Sequence, residues 1–166
     1  MRTSTQPPRA PQAVVQPPQP PESSFGRTLG EDVANYRMLG WKVNVTEQGV
    51  LLPLGPTTTA LVMPARIGSA VLAELRARML AGPTLVIPSP HENWVFLAEL
   101  VALLPVQLRT PSEIRFVRSP SSIVLPPTMT PYGRVRWANA PSFSRHWLPP
   151  FTAVLAVART IASTAN

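Results

Sequence analysis

The sequence predicts an α+β domain, a mixed or antiparallel sheet flanked by helices, with a disordered proline-rich tail in front of it. Three features carry this reading. Helical spacing of apolar residues is confined to three segments, and between them lie many short apolar or alternating runs set apart by proline-rich turns. Seven of the 22 prolines fall within the first 24 residues, among Gln, Ser and Thr. Such a stretch buries too little surface to repay its ordering entropy, so residues 1–24 read as a tail with polyproline II character. As a tail it either keeps the protein in solution or recruits a partner. The remaining residues, 25–166, have the length and apolar content for one domain with a real core; the chain of 166 residues is 45% hydrophobic.

The elements follow in order. Thr28 with Glu31 three positions later forms a capping box; Val33 and Tyr36 keep helical spacing and Gly40 suits the C-terminal cap, so residues 29–39 are a helix. Trp41, Val43 and Val45 then alternate with Lys42, Asn44 and Thr46, and Glu47-Gln48-Gly49 turns the chain into Val50-Leu51-Leu52. Residues 59–63 read as another strand. In residues 68–81, Val71, Leu72, Leu75 and Met79 join Ile67 on one face opposite Glu74 and Arg76, an amphipathic helix ended by Gly82-Pro83. Residues 84–87 and 94–98 suit buried strands, although residues 93–104 also suit one apolar helix before Pro105; periodicity leaves both open. Residues 106–109, 113–117, 122–125 and 134–138 are further strands. The closing helix starts at Pro149-Pro150, where proline is tolerated, runs to about Ala162, and is apolar around most of its circumference, as a helix packed into the body would be.

Charge separates the two parts of the domain. The whole chain has 15 Lys and Arg against 8 acidic residues, a net +7. Residues 25–106 are balanced, six bases to six acids, whereas residues 107–166 hold seven arginines against Glu113 alone, a net +6. A polyanionic partner follows as an expectation. Arg outnumbers Lys 14 to one; the bias fits a GC-rich genome first, and also supplies forked donors for phosphates. The chain has no cysteine, which excludes disulfides, thiolate metal sites and cysteine nucleophiles, and fits a reducing cytoplasm. No apolar run reaches the roughly 20 residues of a membrane helix, so no membrane association is expected.

Two stretches, taken together, carry a resemblance. Ala34-Asn35-Tyr36 with Leu39-Gly40-Trp41-Lys42-Val43 is a helix ending at Gly-Trp before a strand, and Ile123-Val124-Leu125-Pro126-Pro127-Thr128 with Gly133 and Trp137 is an apolar strand, a Pro-Pro turn, a glycine and a tryptophan. In this order they resemble the bifunctional DNA primase/polymerase N-terminal domain, the prim-pol branch of the archaeo-eukaryotic primases. Gly40, Trp41, Pro126, Pro127, Thr128, Gly133 and Trp137 are the framing residues. The resemblance implies a nucleotidyltransferase whose clustered carboxylates on a central strand hold Mg or Mn. That strand here is Trp94-Val95-Phe96-Leu97-Ala98-Glu99, in which only Glu99 is a candidate ligand. The single aspartate, Asp32, sits in a first helical turn, where it complements the helix dipole. No Ser-x-His segment precedes Ile123, and Thr130 stands where the histidine after the turn is expected. The expectation is a small, degenerate member that keeps the fold, has lost catalysis and needs no cofactor.

Other chemistry is weaker. His91-Glu92 opens like a zincin helix, but position 95 is Val95, not the second histidine. His91 and His146 with Glu92 or Glu99 meet only the loosest acid–base pattern, and Ser121-Ser122 lacks elbow glycines. The binding candidates are Arg115, Arg118, Arg134, Arg136 and Arg145, interleaved with Trp137, Phe143, His146 and Trp147, a composition suited to weak binding of nucleic acid. On a strand, Arg134 and Arg136 share one face and Val135 and Trp137 the other, so Trp137 belongs to the core, as do Trp41 and Trp94 with their apolar neighbours. Residues 115–118 alternate without a clean basic side. Trp147 is either a staple for the last helix or an exposed platform. Two further readings stand beside this one: an active primase or polymerase, and a scaffold or adaptor that binds protein through the last helix and the tail.

Overall fold

The computed structural model describes residues 28–101, 110–144 and 147–164. The proline-rich tail, the strand expected at 106–109, and Arg145 and His146 lie outside the described residues. The architecture is α+β, as expected, and every strand pairing is antiparallel.

Helix α1 (Leu29–Met38) begins with the expected capping box: the Glu31 N–H donates to Thr28 Oγ1 at 3.3 Å, and the Thr28 N–H to Glu31 Oε2 at 2.7 Å. Gly40, at φ +78, closes it. Strands β1 (Asn44–Thr46) and β2 (Gly49–Pro53) form the expected hairpin. The alternation that places Val45 in the core fails there, because β1 is an edge strand with all three residues exposed; Val43 is buried just before it. Gly49, at φ +120, lies so close to Thr128 that a Cβ would stand 2.3 Å from its Oγ1. Only glycine fits both demands.

Strand β3 (Thr58–Pro64) leads straight into α2 (Ala65–Ala77). This helix starts and ends earlier than its apolar spacing suggests. Pro64 takes the N-cap position, and beyond the C-cap Arg78 the chain turns at Met79, φ +57, which leaves Met79 exposed and not on the buried face. Strands β4 (Thr84–Ile87) and β5 (Asn93–Glu99) follow, so the open choice at 93–104 resolves to a strand over 93–99. After β6 (Arg115–Val117) and β7 (Ser122–Leu125), the strand expected at 134–138 comes as two pieces. β8 (Met129–Thr130) and β9 (Gly133–Arg134) make a small hairpin, and β10 (Arg136–Asn139) joins β4. Between them the Val135 N–H donates to the Thr128 carbonyl and the Val135 side chain is buried, which marks the switch between sheets. Helix α3 (Phe151–Thr164) closes the fold and is packed into it.

The large sheet, in the order β10-β4-β5-β3-β6, lies between two cores. Trp94, Phe96 and Ala98 of β5 face α2 and α3, joined by Leu61, Met63, Phe151 and Val154. Val95 and Leu97 face the other way, towards α1 and the small sheet β1-β2-β7, with Val50, Leu52, Ile123 and Leu125. Burial of each such side chain stabilises by roughly 1.5–3 kcal/mol, which is why β5, apolar on both faces, reads as an uninterrupted hydrophobic run.

Candidate nucleic-acid interface

The two framing stretches, about ninety residues apart in the chain, meet behind the small sheet. The Tyr36 hydroxyl donates to the Pro126 carbonyl at 2.7 Å and accepts from Trp137 Nε1–H at 3.3 Å. Tyr36 stacks on Trp41 at 5.9 Å and meets Trp137 edge-on at 6.2 Å, while Trp41 and Trp137 are 6.1 Å apart. Thr128, buried, accepts the Val50 N–H at 2.9 Å. Trp41, Trp137 and Trp94 all pack against the cores, as their neighbours imply. These residues hold the fold together.

Strand β7 joins this knot at one end and an open groove at the other. A tight turn at each end is closed by a hydrogen bond across four residues, Ser121 N–H to the Arg118 carbonyl and Thr128 N–H to the Leu125 carbonyl, with the Ser119–Pro120 and Pro126–Pro127 bonds cis. The first turn carries the chain from β6 in the large sheet to β7 in the small one, and between the sheets lies a groove of about 630 Å³. Val62, Val95, Ile87 and Val124 supply its apolar lining; Asn93, Ser119, Ser121 and Ser122 its hydroxyl and amide groups; Arg115 and Arg118 its charge. Both arginines are exposed, neither forms an ion pair among the described residues, and no acidic residue lines the groove.

Alternation along a strand would place Arg115 and Arg118 on opposite faces, but β6 ends at Val117, Arg118 opens the turn into β7, and both arginines line the groove. Arg115 stands opposite Val62, on the face turned to the small sheet, whereas Phe116 packs on Phe151 at 4.8 Å behind. Arg134 and Arg136 alternate with Val135 and Trp137 as expected, yet they form no stripe. Arg134 belongs to the small hairpin, and Arg136 pairs with Glu92 at 3.1 Å. Glu92 also accepts from Trp94 Nε1–H at 3.1 Å, which holds its carboxylate on the helix-covered side and away from the groove. Arg145, the fifth candidate, lies outside the described residues.

Glu99 is exposed at the far end of β5 from Asn93, about 13 Å along the strand from Val95, the nearest groove residue on β5, at 3.3 Å per residue. His91 is exposed on the turn before β5. No three of His, Asp and Glu come together among the described residues to hold a metal. Among these residues, too, no helix is long and apolar enough to cross a membrane. No family model, curated protein or solved structure matches the chain, so the prim-pol resemblance rests on the framing residues alone.

The sequence gives little warning of Asn93, Ser119, Ser121 and Ser122 as groove residues. Their signal is the turn-forming run Ser119-Pro120-Ser121-Ser122 directly after two arginines spaced three apart.

Proposed function

We propose that this chain is a nucleic-acid-binding domain of prim-pol-like descent that holds a phosphate backbone in the groove between its sheets and does not polymerise. The observation that carries the reading is the convergence of Arg115 and Arg118 on a groove without carboxylates, beside serine hydroxyls and an asparagine amide. Guanidinium groups in that setting are free to fork onto phosphate oxygens, whereas Arg136 is already neutralised by Glu92. Binding without polymerisation agrees with Glu99 as the lone carboxylate on β5, since metal-assisted transfer needs several carboxylates around its ions.

The test is a salt titration of labelled oligonucleotide binding to the full chain. Wild type loses affinity steeply as salt rises, Arg115→Ala/Arg118→Ala flattens that dependence, and Arg136→Ala leaves it nearly unchanged. Binding indifferent to salt overturns the reading.

A protein partner is the second reading, and one observation favours it. β7 is the edge of the small sheet, so its outer N–H and C=O groups are paired to no strand and are open to an extended peptide. The last helix does not serve that role: Phe151, Val154, Leu155, Val157, Ala158 and Ala162 are all buried in the body.

A further inference from the structure

The groove does not end at its apolar floor. Ile87, which lines it on β4, is followed by Pro88, and against Pro88 stands the β8–β9 hairpin. Met129 pairs with Arg134 and Thr130 with Gly133, leaving Pro131 and Tyr132 as a two-residue tip. The tip is braced from below. The Thr130 hydroxyl donates to the Gly133 carbonyl at 2.9 Å, with the Pro88 carbonyl at 3.3 Å, and accepts the Tyr132 N–H at 3.2 Å. The strand that leaves the hairpin is anchored by the buried Val135.

On this braced support Tyr132 and Met129 are each 62% exposed. Arg134, opposite Met129, is exposed too and has no ion pair among the described residues. An aromatic ring, a thioether and a free guanidinium are thus held out together on a fixed support. From Arg115 on β6 the line crosses β3 and β5 to β4, three strand spacings or about 14 Å, and Ile87 lies two residues further along β4. A strand laid along this line runs from the two arginines to the foot of the hairpin.

We propose that the β8–β9 hairpin is a base-stacking finger: a single strand held by its phosphates at Arg115 and Arg118 continues past Ile87 and stacks a base on Tyr132, with Arg134 on the neighbouring phosphate. This rests on the phosphate-binding reading of the groove and assigns it a kind of strand. Stacking is tolerant of base identity, because every base offers a flat face, so the finger selects single strands over duplexes without reading sequence.

The test uses the full chain and three labelled probes: a single strand, the same strand with abasic sites in place of its bases, and the duplex. Tyr132→Ala weakens binding of the base-bearing strand by roughly five- to 150-fold, the usual range for loss of one stacking ring. It leaves the abasic strand and the duplex within about twofold of wild type, and Tyr132→Phe, which keeps the ring, restores the single strand. If Tyr132→Ala binds the base-bearing strand as tightly as wild type, or weakens the abasic strand equally, the finger is overturned while the groove stands. If wild type binds none of the three at low salt, the groove reading falls with it.

Discussion

The two turns that bracket β7 are built alike and do opposite work. Each has a cis proline bond and is closed by one hydrogen bond across four residues. At the Leu125–Thr128 turn polar groups are met from within: the Pro126 carbonyl by Tyr36, Thr128 Oγ1 by the Val50 N–H. At the Arg118–Ser121 turn the Leu54 N–H takes the Ser121 carbonyl, but the side chains of Arg118, Ser119 and Ser121 stay in solvent, beside Arg115. The same backbone device therefore serves the fold where side chains are satisfied internally and offers a surface where they are not. Stability belongs to the Leu125–Thr128 turn, and the proposed ligand binding to the Arg118–Ser121 turn.

Substitutions that strike one end and spare the other test this division. The largest effect is expected of Tyr36→Ala, which removes a buried ring touching two tryptophans and its hydrogen bond to Pro126. Denaturant unfolding should show a loss of about 3–5 kcal/mol, while the folded fraction binds oligonucleotide as wild type does. Next, Thr128→Val keeps the shape but strands the buried Val50 N–H, with an expected loss of about 1–3 kcal/mol by the same measurement.

At the other end, Arg115→Ala/Arg118→Ala should change stability by no more than about 0.5 kcal/mol, as exposed positions do. Its affinity for a single strand should fall about tenfold at low salt, and the slope of log affinity against log salt should shrink by about 1.4, two phosphate contacts at about 0.7 each. The smallest effect is expected of Glu92→Gln, which frees Arg136 from an exposed ion pair. Its stability should stay within about 1 kcal/mol of wild type, with affinity raised by less than threefold, because Arg136 lies outside the groove.

Much of the framework is legible in the sequence, for local reasons. The capping box fixes the start of α1, alternation and apolar runs locate β4 and β7 to the residue, and the apolar circumference of α3 foretells its burial. The misses are cases where a local pattern meets a non-local constraint. Met79 keeps helical spacing but follows a helix already ended by a left-handed turn; Val45 alternates correctly on a strand that has nothing behind it. Val135 continues a strand pattern at the point where the chain leaves one sheet for another.

The candidate site shows the same limit more sharply. All five arginines are visible as a charge excess, and four fall among the described residues. Which of those four is free to bind depends on partners distant in sequence. Arg136 is claimed by Glu92, 44 residues away, and Arg115 and Arg118 line one groove although alternation would part them. Tyr132 gave no signal beyond its turn-like neighbours, since its exposure follows from the bracing of Thr130 against Pro88.

The division between the two turns is tested most directly by Thr128→Val and Arg118→Ala side by side, each followed by denaturant unfolding and by salt-titrated binding of a single-stranded oligonucleotide. The expected result is a crossed pattern: Thr128→Val is less stable with its affinity kept, and Arg118→Ala is as stable as wild type with weaker, less salt-sensitive binding. An Arg118→Ala protein that binds with unchanged affinity and unchanged salt dependence would contradict the assignment of the groove.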